Sequence, residues 1–235
     1  MSSLYKKVEF HVRRILFGKF AIPKIKNERI SKAVFKKYLP NRPVIIDCGA
    51  HDGADSVELA KLFKIGTIHS FEPVSELYAR LLKNTSPWNN ITCYPIALAD
   101  NSGIMDFYVS EGNSDASSSL LKPKEHLTDH PDTFFKRKIS VNTLTLDTWA
   151  EQEKIKKVDL LWLDMQGFEL NMLKESHAIL PTVRIIHTEV STKETYEGVS
   201  QYVEYKNYLE SKGFEVLIEA IPTGWDMGNV LFVRK

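Results

Sequence analysis

The chain has 235 residues, 43% hydrophobic and 26% charged, the make-up of an ordinary globular protein long enough to bury a sizeable core. No apolar run approaches the roughly 20 residues of a spanning helix, no signal peptide is visible, and Cys48 and Cys93 show neither a disulfide framework nor a metal spacing, so a reducing, cytoplasmic setting is expected. The net charge of +1 hides an asymmetry: residues 1–42 hold twelve Lys or Arg against Glu9 and Glu28, which leaves the rest of the chain with nine excess negative charges.

That basic segment, residues 1–42, is expected to be a helical extension. Phe10, Val12, Ile15, Leu16, Phe17 and Phe20 are interleaved with Lys6, Lys7, Arg13, Arg14 and Lys19. Two readings stay open for residues 1–26. The face either docks on the domain, or it contacts a membrane surface or an anionic carrier. Residues 27–38 have helical spacing and end before Pro40 and Pro43.

Residues 44–47 read as a buried parallel strand, followed by a turn of small residues at Gly49, Ala50 and Gly53 and a helix over 54–63. A strand, a small-residue turn and a helix start make a nucleotide cradle, in which glycine lets backbone approach a ligand and the helix offers N–H groups. The order Asp47-x-Gly49-Ala50-x-x-Gly53 departs from the dinucleotide fingerprint. An acid at the strand end is awkward beside a pyrophosphate and suits the cationic S-adenosylmethionine (SAM). Residues 67–71 form the second strand, with Glu72 at its carboxyl end, where an acid accepts from a ribose diol. His51 falls beside the cofactor's carboxylate, and Ala99 and Asp100 are candidate neighbours of its adenine. The bland alternatives are a turn or cap role for Asp47 and an ordinary strand-end charge for Glu72.

A helix over 74–82 and a strand over 91–97 come next. Simple alternation then stops. Strands at 105–109 and 139–146 flank a loop rich in Ser, Gly, Asn and Asp and a polar stretch holding His126 and His130, which reads as an inserted hairpin with a long loop covering the site. Zinc binding by this His pair is not expected, because no glutamate follows the first histidine. Asp147 is expected to cap a helix over 148–154. Residues 158–164 read as a central strand, followed by a helix over 168–180, a strand over 183–190 ending near Glu189, a helix over 202–212 closed by Gly213, and strands over 214–218 and 229–234. The expected fold is α/β: a seven-stranded, mostly parallel sheet with helices on both faces, residues 43–235, with its ligand at the carboxyl ends of the strands.

The segments Asp47-x-Gly49-Ala50-x-x-Gly53, Phe71-Glu72-Pro73, Ala97-Leu98-Ala99-Asp100, Leu144-Thr145-Leu146-Asp147 and Leu163-Asp164-Met165-Gln166-Gly167-Phe168-Glu169 together resemble the FkbM-type SAM-dependent methyltransferases over residues 43–233. The resemblance implies a Rossmann-like class I methyltransferase fold with one antiparallel strand, and O-methylation of sugars or natural products. Many members carry Glu where Gln166 stands.

Methyl transfer to a hydroxyl needs a positioned oxygen and an acceptor for its proton. Asp164 is the first candidate, as base, as orienting group or as ligand of a metal that acidifies the hydroxyl, against a plain helix-cap role. His126 and Glu189 are the other catalytic candidates, and no resident metal is expected. The expected partner is a small-molecule or carbohydrate acceptor. Nucleic acid is not expected, since the domain is acidic and the central strand ends in Asp-Met-Gln-Gly rather than the motif of amino-methylating enzymes. Nucleic-acid methylation and a non-catalytic SAM-fold module are the alternatives.

Overall fold

The computed structural model describes residues 30–129 and 131–235. The basic arm of residues 1–26, with its membrane or carrier contact, and His130 lie outside the described residues. A 3-10 helix at Lys32–Lys37 opens the described chain, where a longer helix over 27–38 is predicted. The elements that follow are β1 (Val44–Cys48), α1 (Ala54–Leu62), β2 (Thr67–Phe71), α2 (Ser75–Thr85), β3 (Ile91–Tyr94), β4 (Ala97–Leu98), β5 (Gly103–Gly112), α3 (His126–Asp129), β6 (Thr133–Leu144), α4 (Leu146–Gln152), β7 (Leu160–Leu163), α5 (Glu169–Lys174), β8 (Ile185–Ser191), α6 (Tyr202–Ser211), β9 (Phe214–Ala220) and β10 (Met227–Arg234).

The main sheet has seven strands in the order β3-β2-β1-β7-β8-β10-β9, with β10 antiparallel to both neighbours. This is the expected Rossmann-like sheet. β1 and β7 lie side by side, with Ile46 opposite Leu161 and Asp47 opposite Trp162. The chain winds outward from β1 in one direction and from β7 in the other, so their carboxyl ends form a switch point. Both faces of β1 and β7 are covered, which explains their unbroken apolar runs.

Side-chain alternation divides the core in two. Ile45, Ile68, Leu160, Trp162 and Leu231 point to the α1 side, where they meet Leu59, Phe63 and Phe35. Ile46, Cys48, Leu161, Leu163 and Phe232 point to the other side, against Trp149, Leu173 and Leu209. Phe35 is fully buried and packs edge-on against Trp162, ring centroids 6.0 Å apart. Ile30, Phe35 and Leu39, from the segment before residue 43, are part of this core.

Several elements differ from expectation for identifiable reasons. The strand predicted over 91–97 divides at Pro95, which has no N–H for the ladder. Its first part pairs with β2, and its second, β4, joins a separate sheet of order β4-β6-β5. Asp147 does not cap the following helix. Thr145 does, accepting from Thr148 N at 3.1 Å, while the Asp147 carboxylate takes Ala178 N (2.7 Å) and Ile179 N (2.9 Å). That anchor draws residues 178–179 out of the helix predicted to reach residue 180, and α5 stops at Lys174.

The inserted hairpin is β5 and β6, longer than predicted and antiparallel throughout. The returning loop is fastened to it: Tyr108 and Ser119 exchange backbone hydrogen bonds of 2.8 and 3.0 Å. Phe107, Val109, Val141 and Leu120 form a third apolar cluster with Val74, Leu77 and Phe168. This cluster roofs the carboxyl ends of β1 and β2. No helix among the described residues is long and apolar enough to cross a membrane.

Phe35→Ala should cost about 3–5 kcal/mol in unfolding free energy, with an unchanged denaturant m-value, if residues 30–39 belong to the domain. A loss below about 1 kcal/mol in equilibrium denaturation would place this segment outside the cooperative unit.

Candidate active site

The turn between β1 and α1 begins at Gly49 (φ +77°). A Cβ on Gly49 would lie 1.9 Å from the Asp164 carbonyl oxygen, so the missing side chain lets the ends of β1 and β7 meet. At Gly53 (φ +85°) a Cβ would meet Leu81 Cδ1 at 2.8 Å. The turn's N–H groups do not form the open cradle expected from the sequence. Gly49 N and Ala50 N donate to Phe71 O (3.2 and 2.9 Å), Gly53 N to Ala50 O (2.8 Å), and His51 N to Glu72 Oε2 (3.1 Å). Such a turn offers a shape rather than an anion site.

A cleft of about 550 Å³, the open solvent at its mouth included, opens beside this turn. Its walls are apolar, from Phe71, Leu77, Leu98, Phe107, Leu120 and Phe168, and its polar groups are Glu72, His51, Asp115 and Asp164. The Glu72 carboxylate also takes Val74 N at 2.8 Å, and burial pushes its pKa up to about 7 against those backbone hydrogen bonds. A carboxylate has about four lone-pair sites, and two backbone N–H groups leave capacity for a diol.

Asp47 stands apart from the cleft. Alternation along β1 turns it with Ile45 toward α1, where it is 1% exposed, accepts from Ser56 Oγ at 2.5 Å, and is raised to about 7 by burial. Ala50 is buried behind the turn. Ala99 and Asp100 do not line the cleft. The division at Pro95 brings Ala97 and Leu98 there instead, while Ala99 N donates to Leu144 O and Ala99 sits in the roof cluster. His126 is also elsewhere: it is 3% exposed, its ring 5.4 Å from those of both Phe135 and Tyr196, and it does not reach the cleft.

Asp164 lines the cleft and is reachable from solvent. Protein nonetheless surrounds it closely enough to raise its pKa, against a lowering hydrogen bond from Gln166. Gln166 Nε2 donates to Asp164 Oδ1 (2.7 Å) and to Glu189 Oε2 (3.1 Å), and its Oε1 accepts from Tyr196 OH (3.1 Å). Ser119 Oγ, in the hairpin loop, donates to the Gln166 carbonyl at 2.8 Å. Gln166 has φ +52°, an uncommon conformation for a side-chain-bearing residue. Glu189 thus joins the site through Gln166. Glu169 turns inward, takes Met165 N (2.8 Å) and Gly167 N (3.3 Å), and is raised to about 7 by burial.

Two further residues join the site without having been candidates for it. Gln166 lies within the quoted motif, at the position where many family members carry Glu. Asp115 is a lone acid in a Ser-rich loop, and nothing local marks it. Arg80 and His51 Nε2 (2.8 Å) both bind its carboxylate, and they outweigh burial to hold it below the usual carboxylate range. No group of three or more His, Cys, Asp or Glu among the described residues is arranged to hold a metal ion.

A Rossmann-like sheet with one reversed strand, an apolar slot at its switch point and carboxylates just past the ends of β2 and β7 together fit a class I SAM-dependent methyltransferase. Residues 47–216 match the methyltransferase FkbM domain model, and the chain belongs to that family. It is 35% identical over 194 residues to the 2-O-methyltransferase NoeI of Sinorhizobium fredii, covering 80% of this chain and 78% of that protein. It is 23% identical to the methyltransferase sdnD of Sordaria araneosa, over 92% and 93% of the two chains. A solved methyltransferase FkbM from Methylobacillus flagellatus superposes with a TM-score of 0.50 at 16% identity, over 82% of this chain and 44% of the other. A fibrillarin pre-rRNA processing protein of Methanococcus jannaschii shares the fold (TM-score 0.51, 14% identity, 83% and 67% of the chains). The cofactor is SAM, and the cleft's lining fits such a ligand: an apolar slot, the small-residue turn at Gly49 and the Glu72 carboxylate with lone pairs to spare.

The raised carboxyls set a pH dependence. Asp47, Glu72 and Glu169 each sit near 7 in the folded chain, well above the ordinary carboxyl values of 3.8, 4.5 and 4.5. Between those limits the folded state holds more protons than the unfolded state, so this contribution is full in acid and is lost as pH rises through about 7. The ligand-free protein should melt at a lower temperature at about pH 8 than at about pH 5.5, and Glu169→Gln should flatten that slope. An equal slope in the variant, followed by circular dichroism, would remove Glu169 from the account.

Proposed function

We propose that this methyltransferase transfers its methyl group to a hydroxyl of a sugar, a glycoconjugate or a related natural product. The carrying observation is the Asp164 carboxylate at the cleft, with Oδ1 held by Gln166 and Oδ2 without a hydrogen bond among the described residues. A 2-O-methyltransferase among the relatives supports the same atom type as acceptor.

Bound SAM supplies a methyl group already activated by a positive sulfur. The protein's task is then to orient an oxygen and accept its proton. Asp164 Oδ2 accepts that proton in our reading, and Gln166 aims the carboxylate and favours its ionised form against burial. Glu189 shares the same amide and so sets the far side of the pair. Gly49 keeps the backbone of Asp164 against the cofactor turn. The free thiols Cys48 and Cys93 suit a reducing compartment, and we place the reaction in the cytoplasm.

Purified chain incubated with SAM and a panel of glycosides should yield S-adenosylhomocysteine. Asp164→Asn should lower kcat by roughly 10²–10⁴-fold while calorimetric affinity for S-adenosylhomocysteine stays unchanged. Turnover at the wild-type rate would remove Asp164 as the base. Glu72→Ala should weaken SAM binding by about tenfold or more, because a charged acceptor is lost.

The groups facing Asp164 are Asp55, which raises its pKa, and His51 and Gln166, which lower it. Gln166→Ala removes a hydrogen bond to the ionised form, so the acid limb of kcat should move to higher pH. An unmoved limb with reduced kcat would leave Gln166 a purely structural part.

A further inference from the structure

A second cleft lies on the α1 side of the same strand ends. It encloses about 1130 Å³, including its open mouth, and Asp164 lines both it and the cofactor cleft. Its floor is Trp162, Leu163 and His187 of the sheet, its walls are Lys32, Asp55 and Glu58, and Asn229 of β10 closes its far end. Asn229 pairs with Glu189 across β8 and β10, so the cleft follows the strand ends away from the cofactor.

We propose that this second cleft seats the acceptor, and that it takes an uncharged polyhydroxylated ring. The inference rests on the proposed transfer to a hydroxyl and adds where and how that acceptor is held.

Two observations carry it. First, Asp164, the group proposed to take the acceptor's proton, lines both this cleft and the cofactor cleft. Second, the lining mixes strong acceptors with strong donors. Asp55, Glu58 and Asp164 accept, while Lys32 and Asn229 donate, and a sugar hydroxyl needs one of each. Lys32 is held between Asp55 and Glu58 and lies 4.6 Å above the Trp162 ring. Three acids against one lysine disfavour a phosphate or carboxylate ligand.

The test is saturation-transfer NMR on the full chain loaded with S-adenosylhomocysteine. The probes are the methyl glycosides of a hexose, a 6-deoxyhexose and a pentose, with a methyl glucuronide as the charged control. Neutral glycosides should show transfer and the glucuronide should not. Glu58→Trp, which fills the cleft, and Asn229→Leu, which removes a donor without adding bulk, should each weaken glycoside binding by about tenfold, with S-adenosylhomocysteine affinity held within about twofold. Glycoside signals unchanged in both variants, equal binding of the glucuronide, or no glycoside signal in the loaded wild-type chain would each overturn the assignment. Methyl transfer to glycosides that persists in both variants would overturn the cleft alone and leave the proposed function standing. Absence of transfer to every glycoside by the wild-type chain would sink the sugar acceptor itself.

Discussion

The close approach of two strand ends governs this site. Asp164 can face the cofactor turn only because residue 49 has no side chain where the Asp164 carbonyl lies. Parallel strands β1 and β7 run side by side through the core, yet their chain continuations leave in opposite directions. The crevice this creates is the expected ligand position in a wound sheet. What is particular to this chain is how the crevice is lined. The backbone donors of the turn are taken up by Phe71 and Glu72, so the remaining recognition falls to shape and to carboxylates. That division suits a ligand with a positive centre and no phosphate.

The carboxylates are held at a cost. Asp47, Glu72, Asp164 and Glu169 are all pushed up by burial. Glu72 and Glu169 recover part of that cost through backbone N–H groups, Asp47 through Ser56, and Asp164 through a neutral amide. Perturbed acids gathered at one crevice are a recognised mark of functional sites. Here two kinds are separable. Glu169 and Asp47 serve the scaffold, fastening the β7–α5 turn and the start of α1. Glu72 and Asp164 keep lone pairs toward the cleft.

Much of this arrangement was legible in the chain itself. Unbroken apolar runs marked β1 and β7 as central strands, and the acid at the end of β2 fell on the cleft where its spacing put it. The hairpin insertion was visible as a break in the alternation of strand and helix. What escaped was decided by tertiary contacts. Pro95 ended one strand and moved the cleft lining from Ala99 and Asp100 to Ala97 and Leu98. Asp47 lies on the α1 face of β1 and not along the cleft, because a period of two assigns faces only once the partner layers are known. His126 was packed between two rings that no spacing relates to it. Asp115 met its partners Arg80 and His51 from a loop with no local signature.

The bridge at Gln166 carries an implication for the acids it joins. Its amide uses both hydrogens and its oxygen, so the network fixes which way it points, and no proton enters or leaves it across the range in which proteins stay folded. A lysine, a histidine or a third carboxyl in that place would change charge or repel as the solution changed. The separation between Asp164 and Glu189 is therefore set by a spacer indifferent to acidity, even while the charges on either side of it come and go.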